Sequence, residues 1–78
     1  MKVKPKKTAE RIRALIQSAR IVQGLSFEQV CAGCGISERT MLGYIQGNIQ
    51  PGAEHLCFLA DYFGVSSDYI LGREGYLT

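Results

Sequence analysis

The sequence predicts an all-α protein of five helices, and three observations carry that reading. Apolar residues recur at three-to-four spacing, as in Ile12, Leu15, Ile16 and Ala19 and again in Leu56, Leu59, Ala60 and Phe63. Glycines at 24, 35, 47, 64 and 72 stand where such runs end, and serines at 26, 37 and 66 or 67 stand where the next begin. No alternating Val, Ile and Thr pattern of strand type occurs.

Residues 1–7, MKVKPKK, are expected to form a flexible basic arm, with Pro5 opposing an early helix. Thr8 is the expected N-cap of the first helix, with Glu10 in a first turn where the helix dipole favours an acid. Ile12, Leu15, Ile16, Ala19 and Val22 give this helix its apolar face, and Gly24 ends it. Ser26-Phe27-Glu28-Gln29 is a capping box, opening a short helix that carries Val30, Cys31 and Cys34 and ends at Gly35.

Ser37 caps the third helix, which buries Met41 and Tyr44 and stops at Gly47. Residues 48–52, with Pro51, read as a loop. The fourth helix runs from Ala53 to Gly64. The fifth covers residues 68–71, capped by Ser66 or Ser67 and closed by Gly72. Residues 73–78 are a tail, so the expected domain spans residues 8–72.

Seventy-eight residues suit one domain, near the lower limit for a core without staples. A hydrophobic fraction of 46% and a mean hydropathy of +0.01 favour a packed globule over disorder. No apolar run approaches the roughly 18–20 residues that span a bilayer. The basic N-terminus is followed by a charged amphipathic segment instead of the apolar core of a secretion signal. Three cysteines are sparse and odd in number, which points to a reducing compartment. A cytoplasmic protein without a membrane partner is expected.

The net charge of +2 conceals an asymmetry. Residues 1–20 carry seven bases against Glu10, and residues 21–78 carry Arg39 and Arg73 against six acids, so +6 faces −4. A cationic arm on an acidic body fits a polyanionic partner, nucleic acid or an anionic surface; equally, it serves as a solubilising tail.

The informative unit is the second helix, the turn Gly35-Ile36-Ser37 and the third helix, which is helix-turn-helix order. The turn is expected to need positive φ at the glycine. Together with Gly24-Leu25-Ser26 and the closing segments Phe63-Gly64-Val65-Ser66 and Asp68-Tyr69-Ile70-Leu71-Gly72, this unit resembles the lambda-repressor-like (Xre-type) helix-turn-helix family of bacterial and phage regulators. The resemblance covers residues 11–72. It implies a five-helix domain that binds double-stranded DNA, as a homodimer on a two-fold symmetric operator, and regulates transcription, with repression the expected sign.

The resemblance places residues 38–46 in the major groove, with the first turn at base edges, and has the preceding helix cross the backbone from Phe27 and Glu28. Arg39 is suited to guanine O6 and N7. Glu38 can accept from cytosine N4 or serve only the helix dipole. Thr40 can touch a thymine methyl or a phosphate, or bond locally. Ser37 caps more than it reads, Gly43 and Gln46 are counted among the expected DNA-binding positions of the helix, and Asn48 and Gln50 can donate to phosphates from the following loop.

Three positions depart from the family pattern. Phe27 stands where the family usually has Gln, Gly43 where a reading side chain is frequent, and Leu42 where a small or polar residue is usual. Arg39 is then nearly alone among cations of the reading surface. A larger share of DNA affinity is therefore expected from Lys4, Lys6 and Lys7 of the arm, with Arg11, Arg13 and Arg20. The alternative is a protein–protein interaction module that keeps the scaffold with weak or no DNA reading.

Phe58, Tyr62, Tyr69 and Ile70 are candidate dimer contacts. Cys31-Ala-Gly-Cys34 with His55 and Cys57 has zinc-like spacing. The helical register, however, puts Cys31 and Cys34 among apolar positions, and His55-x-Cys57 is neither a second CxxC nor an HxxxH. No metal, cofactor or small-molecule substrate is expected. No catalytic triad or carboxylate pair is evident either, so no enzymatic activity is expected.

Overall fold

The termini of the helices follow from side chains that satisfy, or spare, the backbone groups a helix leaves unpaired at its ends. The computed structural model describes residues 5–72, with side chains from Lys7 onward. Five helices, α1 (Pro5–Gln23), α2 (Phe27–Cys34), α3 (Glu38–Ile45), α4 (Ala53–Phe63) and α5 (Ser67–Leu71), account for its regular structure. The expected tail, residues 73–78, and residues 1–4 of the expected arm lie outside the described residues.

The start of α1 differs from expectation. The helix begins at Pro5, and Thr8 lies inside it, buried, instead of capping it. The physical reason is that a first-turn N–H has no intrahelical partner, so proline loses nothing there and its fixed φ favours the helix. Glu10 accordingly falls beyond the first turn, which holds no acid. At the other end Val22 is 77% exposed, not part of the apolar face. The helix stops at Gly24 as expected, with φ +70° and its N–H donating to the Arg20 carbonyl at 3.1 Å.

The caps at Ser26, Gly35, Ser37, Gly64 and Gly72 match the sequence reading, whereas α3 ends at Ile45 with Gln46 as its C-cap, short of the expected stop at Gly47. Ser26 and Gln29 form the reciprocal capping box, at 3.1 Å and 2.8 Å. Ser66, not Ser67, caps α5, accepting from the Tyr69 N–H at 3.0 Å. That cap lets α5 begin at Ser67, one residue before the expected start.

One core joins all five helices: Ile12, Ile16 and Ala19 of α1, Val30, Cys31 and Cys34 of α2, Met41 and Tyr44 of α3, Leu59 of α4 and Ile70 of α5, with Ile36 from the turn. α1 packs against α2, α3 and α5, while α4 lies on α2 and α5. Arg11 fastens α1 to α5. Its Nη1 donates to the Tyr69 carbonyl at 3.0 Å, and its guanidinium lies 4.4 Å from the centre of the Tyr69 ring. No helix among the described residues is long and apolar enough to cross a membrane.

Candidate nucleic-acid interface

The site is built around the turn between α2 and α3. Gly35 has φ +79°, and its N–H donates to the Ala32 carbonyl at 3.3 Å and to the Cys31 carbonyl at 3.0 Å. The Ile36 N–H also reaches the Cys31 carbonyl, at 3.1 Å. This left-handed closure needs a residue without a β-carbon, and it sends Ile36 into the core, where it is buried. Ser37 then opens α3. Its Oγ accepts from the Thr40 N–H at 3.2 Å and donates to Thr40 Oγ1 at 3.0 Å. The Thr40 hydroxyl is thus engaged by the Ser37 side chain, not by the local backbone carbonyl that the sequence suggests.

The orientation of α3 is set from its inner face. Met41 and Tyr44 are buried, while Glu38, Arg39, Leu42 and Gln46 are exposed. The Tyr44 hydroxyl lies 2.6 Å from Nδ1 of His55, which ties α3 to α4, and burial pushes the phenol pKa up. His55 in turn packs edge-on to Tyr44 and beside Phe58. His55 therefore holds a helix in place.

Gly43 has a structural reason that the sequence reading did not supply. A β-carbon there would sit 2.9 Å from both Cδ1 and Cγ1 of Ile49, too close without a shift. The loop after α3 folds back because the Asn48 and Ile49 N–H groups donate to the Gly43 carbonyl at 3.0 Å and 3.4 Å. Ile49 therefore covers the space above Gly43, yet stays 50% exposed, and Leu42, which precedes Gly43 in the helix, is 42% exposed. Asn48 Nδ2 donates to Gln46 Oε1 at 3.0 Å, so these two amides steady each other at the end of α3.

Phe27, at the start of α2, is half-buried and packs on the core. It lines an open groove of about 210 Å³ with Arg13, Ile16, Gln17, Arg20 and Ile45. Arg13 Nη1 donates to the Ile45 carbonyl at 2.6 Å, placing a cation at the C-terminal end of α3, where the helix dipole favours one. Arg13 and Arg20 remain exposed beside the starting turn of α2. Glu28 is exposed in that turn. Arg11, counted with them in the sequence reading, instead belongs to the contact between α1 and α5.

Lys4 and the side chain of Lys6 lie outside the described residues. Lys7 is close enough to α5 that a β-carbon on Gly72 would meet its Cγ at 2.5 Å. Of the expected dimer contacts, Ile70 is fully buried in the core of its own chain, so it does not belong to an outer surface. Phe58, Tyr62 and Tyr69 are half-buried against that core, with Tyr62 lying over Gly33 and edge-on to Phe63.

Cys31 and Cys34 belong to the core, as their helical positions predicted. Burial, and then the neighbouring Cys31, pushes the Cys34 thiol up to about 11; burial, and then Glu38, also raises Cys31. Cys57 is exposed. Among the described residues no three His, Cys, Asp or Glu side chains gather as metal ligands would. Comparisons of the chain with protein-family models, curated proteins and solved structures find no match.

Proposed function

We propose that this chain binds double-stranded DNA through α3 and regulates transcription as a homodimer on a two-fold symmetric operator, a small cytoplasmic member of the lambda-repressor-like helix-turn-helix class. The observation that carries the reading is the α2–turn–α3 unit. Gly35 and Ile36 close one helix, Ser37 opens the next, and the first turn of α3 presents Glu38 and Arg39 outward while Met41 and Tyr44 anchor its other face. The sequence resemblance supports it. So do the exposed cations on or next to its helices: Arg39 in the first turn of α3, Arg13 at its last carbonyl and Arg20 beside α2.

The mechanism is binding without catalysis or cofactor. Arg39 reads a guanine edge, and Arg13, Arg20 and the N-terminal lysines neutralise phosphates. Phe58, Tyr62 and Tyr69, each partly exposed, are the residues proposed to serve the dimer. The test is retardation of mixed genomic DNA by the full chain at low salt, compared with Arg39→Ala. Loss of a bidentate guanine contact should weaken specific binding by about tenfold or more. Absence of retardation by the native chain overturns the reading.

A second reading, a protein-interaction module on the same scaffold, has the exposed Leu42 and Ile49 in its favour. It predicts no DNA retardation, and equal behaviour of the native chain and Arg39→Ala.

A further inference from the structure

We propose that Leu42 and Ile49 together read thymine 5-methyl groups in the major groove, next to the base edge reached by Arg39. The inference rests on the DNA-binding reading and specifies its target: a site in which one or two thymines neighbour a guanine.

The outer face of α3 is polar at its ends and apolar at its middle. Glu38 and Arg39 occupy the first turn, Gln46 and Asn48 the far end, and Leu42 with Ile49 the space between. Ile49 is not a stray loop residue. Two backbone hydrogen bonds to the Gly43 carbonyl fold the loop back, and the missing β-carbon of Gly43 makes room for the side chain. An apolar side chain from the loop therefore stands on the outer surface of α3 at the one helical position that has no side chain.

Size and charge favour a base over a protein as the occupant. A stable protein partner needs about 800 Å² on each side, with roughly 20–30 residues. Two side chains, 42% and 50% exposed and bordered by charged and amide groups, fall far short of that. They match one or two methyl groups. In the major groove only thymine among the four bases presents a methyl, and apolar side chains are its natural contact. Cations also stand at both ends of the helix, Arg39 in its first turn and Arg13 at its last carbonyl, which suits a polyanion flanking the methyls.

The experiment selects duplexes from a random pool with the full native chain, then replaces each thymine of the best duplex singly by deoxyuridine. That exchange removes the methyl and leaves pairing and hydrogen-bond groups unchanged. Affinity should fall about fourfold at one or two positions, the worth of one buried methyl. Leu42→Ala and Ile49→Ala should each abolish the thymine–uracil difference at one of them, while helical content and melting stay close to native. Retained duplexes with no uracil effect, or an effect that survives both substitutions, overturn the inference and leave DNA binding standing. Retention of no duplex overturns both.

Discussion

The side chain of Ile49 occupies the space above Gly43, its Cδ1 and Cγ1 each 2.9 Å from where a β-carbon would stand. Two effects compete at this position. Alanine in a helix interior is favoured over glycine by about 1 kcal/mol, but here it must displace Ile49. Gly43→Ala is therefore expected to be nearly neutral in the native background. In an Ile49→Ala background the same change should stabilise by about 1 kcal/mol. A double-mutant cycle by denaturant unfolding checks this, and equal effects in both backgrounds would contradict the packing described.

Arg11 and Arg20 lie on the same helix and should behave differently. Arg11 holds α5 through the Tyr69 carbonyl and ring, so Arg11→Ala should cost about 2 kcal/mol. Arg20 is exposed, and Arg20→Ala should leave the unfolding midpoint nearly unchanged while weakening DNA retention. Unfolding and retardation measured on the same two variants separate the roles.

The hydroxyl of Tyr44 and the ring of His55 form a bond between α3 and α4. Tyr44→Phe should cost about 1 kcal/mol. In a His55→Ala background it should cost clearly less, because the partner is already gone. Additive costs in thermal unfolding would argue against the bond.

The buried thiols set an alkaline limit. Cys34 keeps its proton in the folded chain up to about 11, against an ordinary value of 9.0, and Cys31 and Tyr44 are raised as well. Between these pH values the unfolded chain has released the Cys34 proton and the folded chain has not, so stability falls as pH rises through that window. Below it the contribution is fully present. Unfolding midpoints from pH 7 to 11 should decline above about 9, and less steeply in Cys34→Ala. At neutral pH an alkylating reagent should label Cys57 rapidly and the other two thiols only after denaturation.

Lys2 and Lys4 precede the first residue of α1. Truncation before Pro5 removes Lys2 and Lys4 and keeps α1 whole. The slope of log affinity against log salt should flatten by about two units. An unchanged slope would assign phosphate neutralisation to Arg13, Arg20 and Lys7 instead.

Helix number, the capping box at Ser26, the αL turn at Gly35 and the core positions of Cys31, Cys34, Met41 and Tyr44 were legible in the sequence. Each depends on neighbours within a turn or two, so periodicity and cap chemistry suffice. The start of α1 was misread although it too is local, because proline opposes a helix in its interior and favours one at its first turn. The outer face of α3 was decided by contacts distant in sequence or by a loop that folds back: Ile49 over Gly43, Arg13 on the Ile45 carbonyl, and His55 on Tyr44. From the sequence alone Gly43 reads as an empty place in the candidate site. The folded chain fills it, because whether a helical glycine is vacant or covered depends on where the loop that follows it returns.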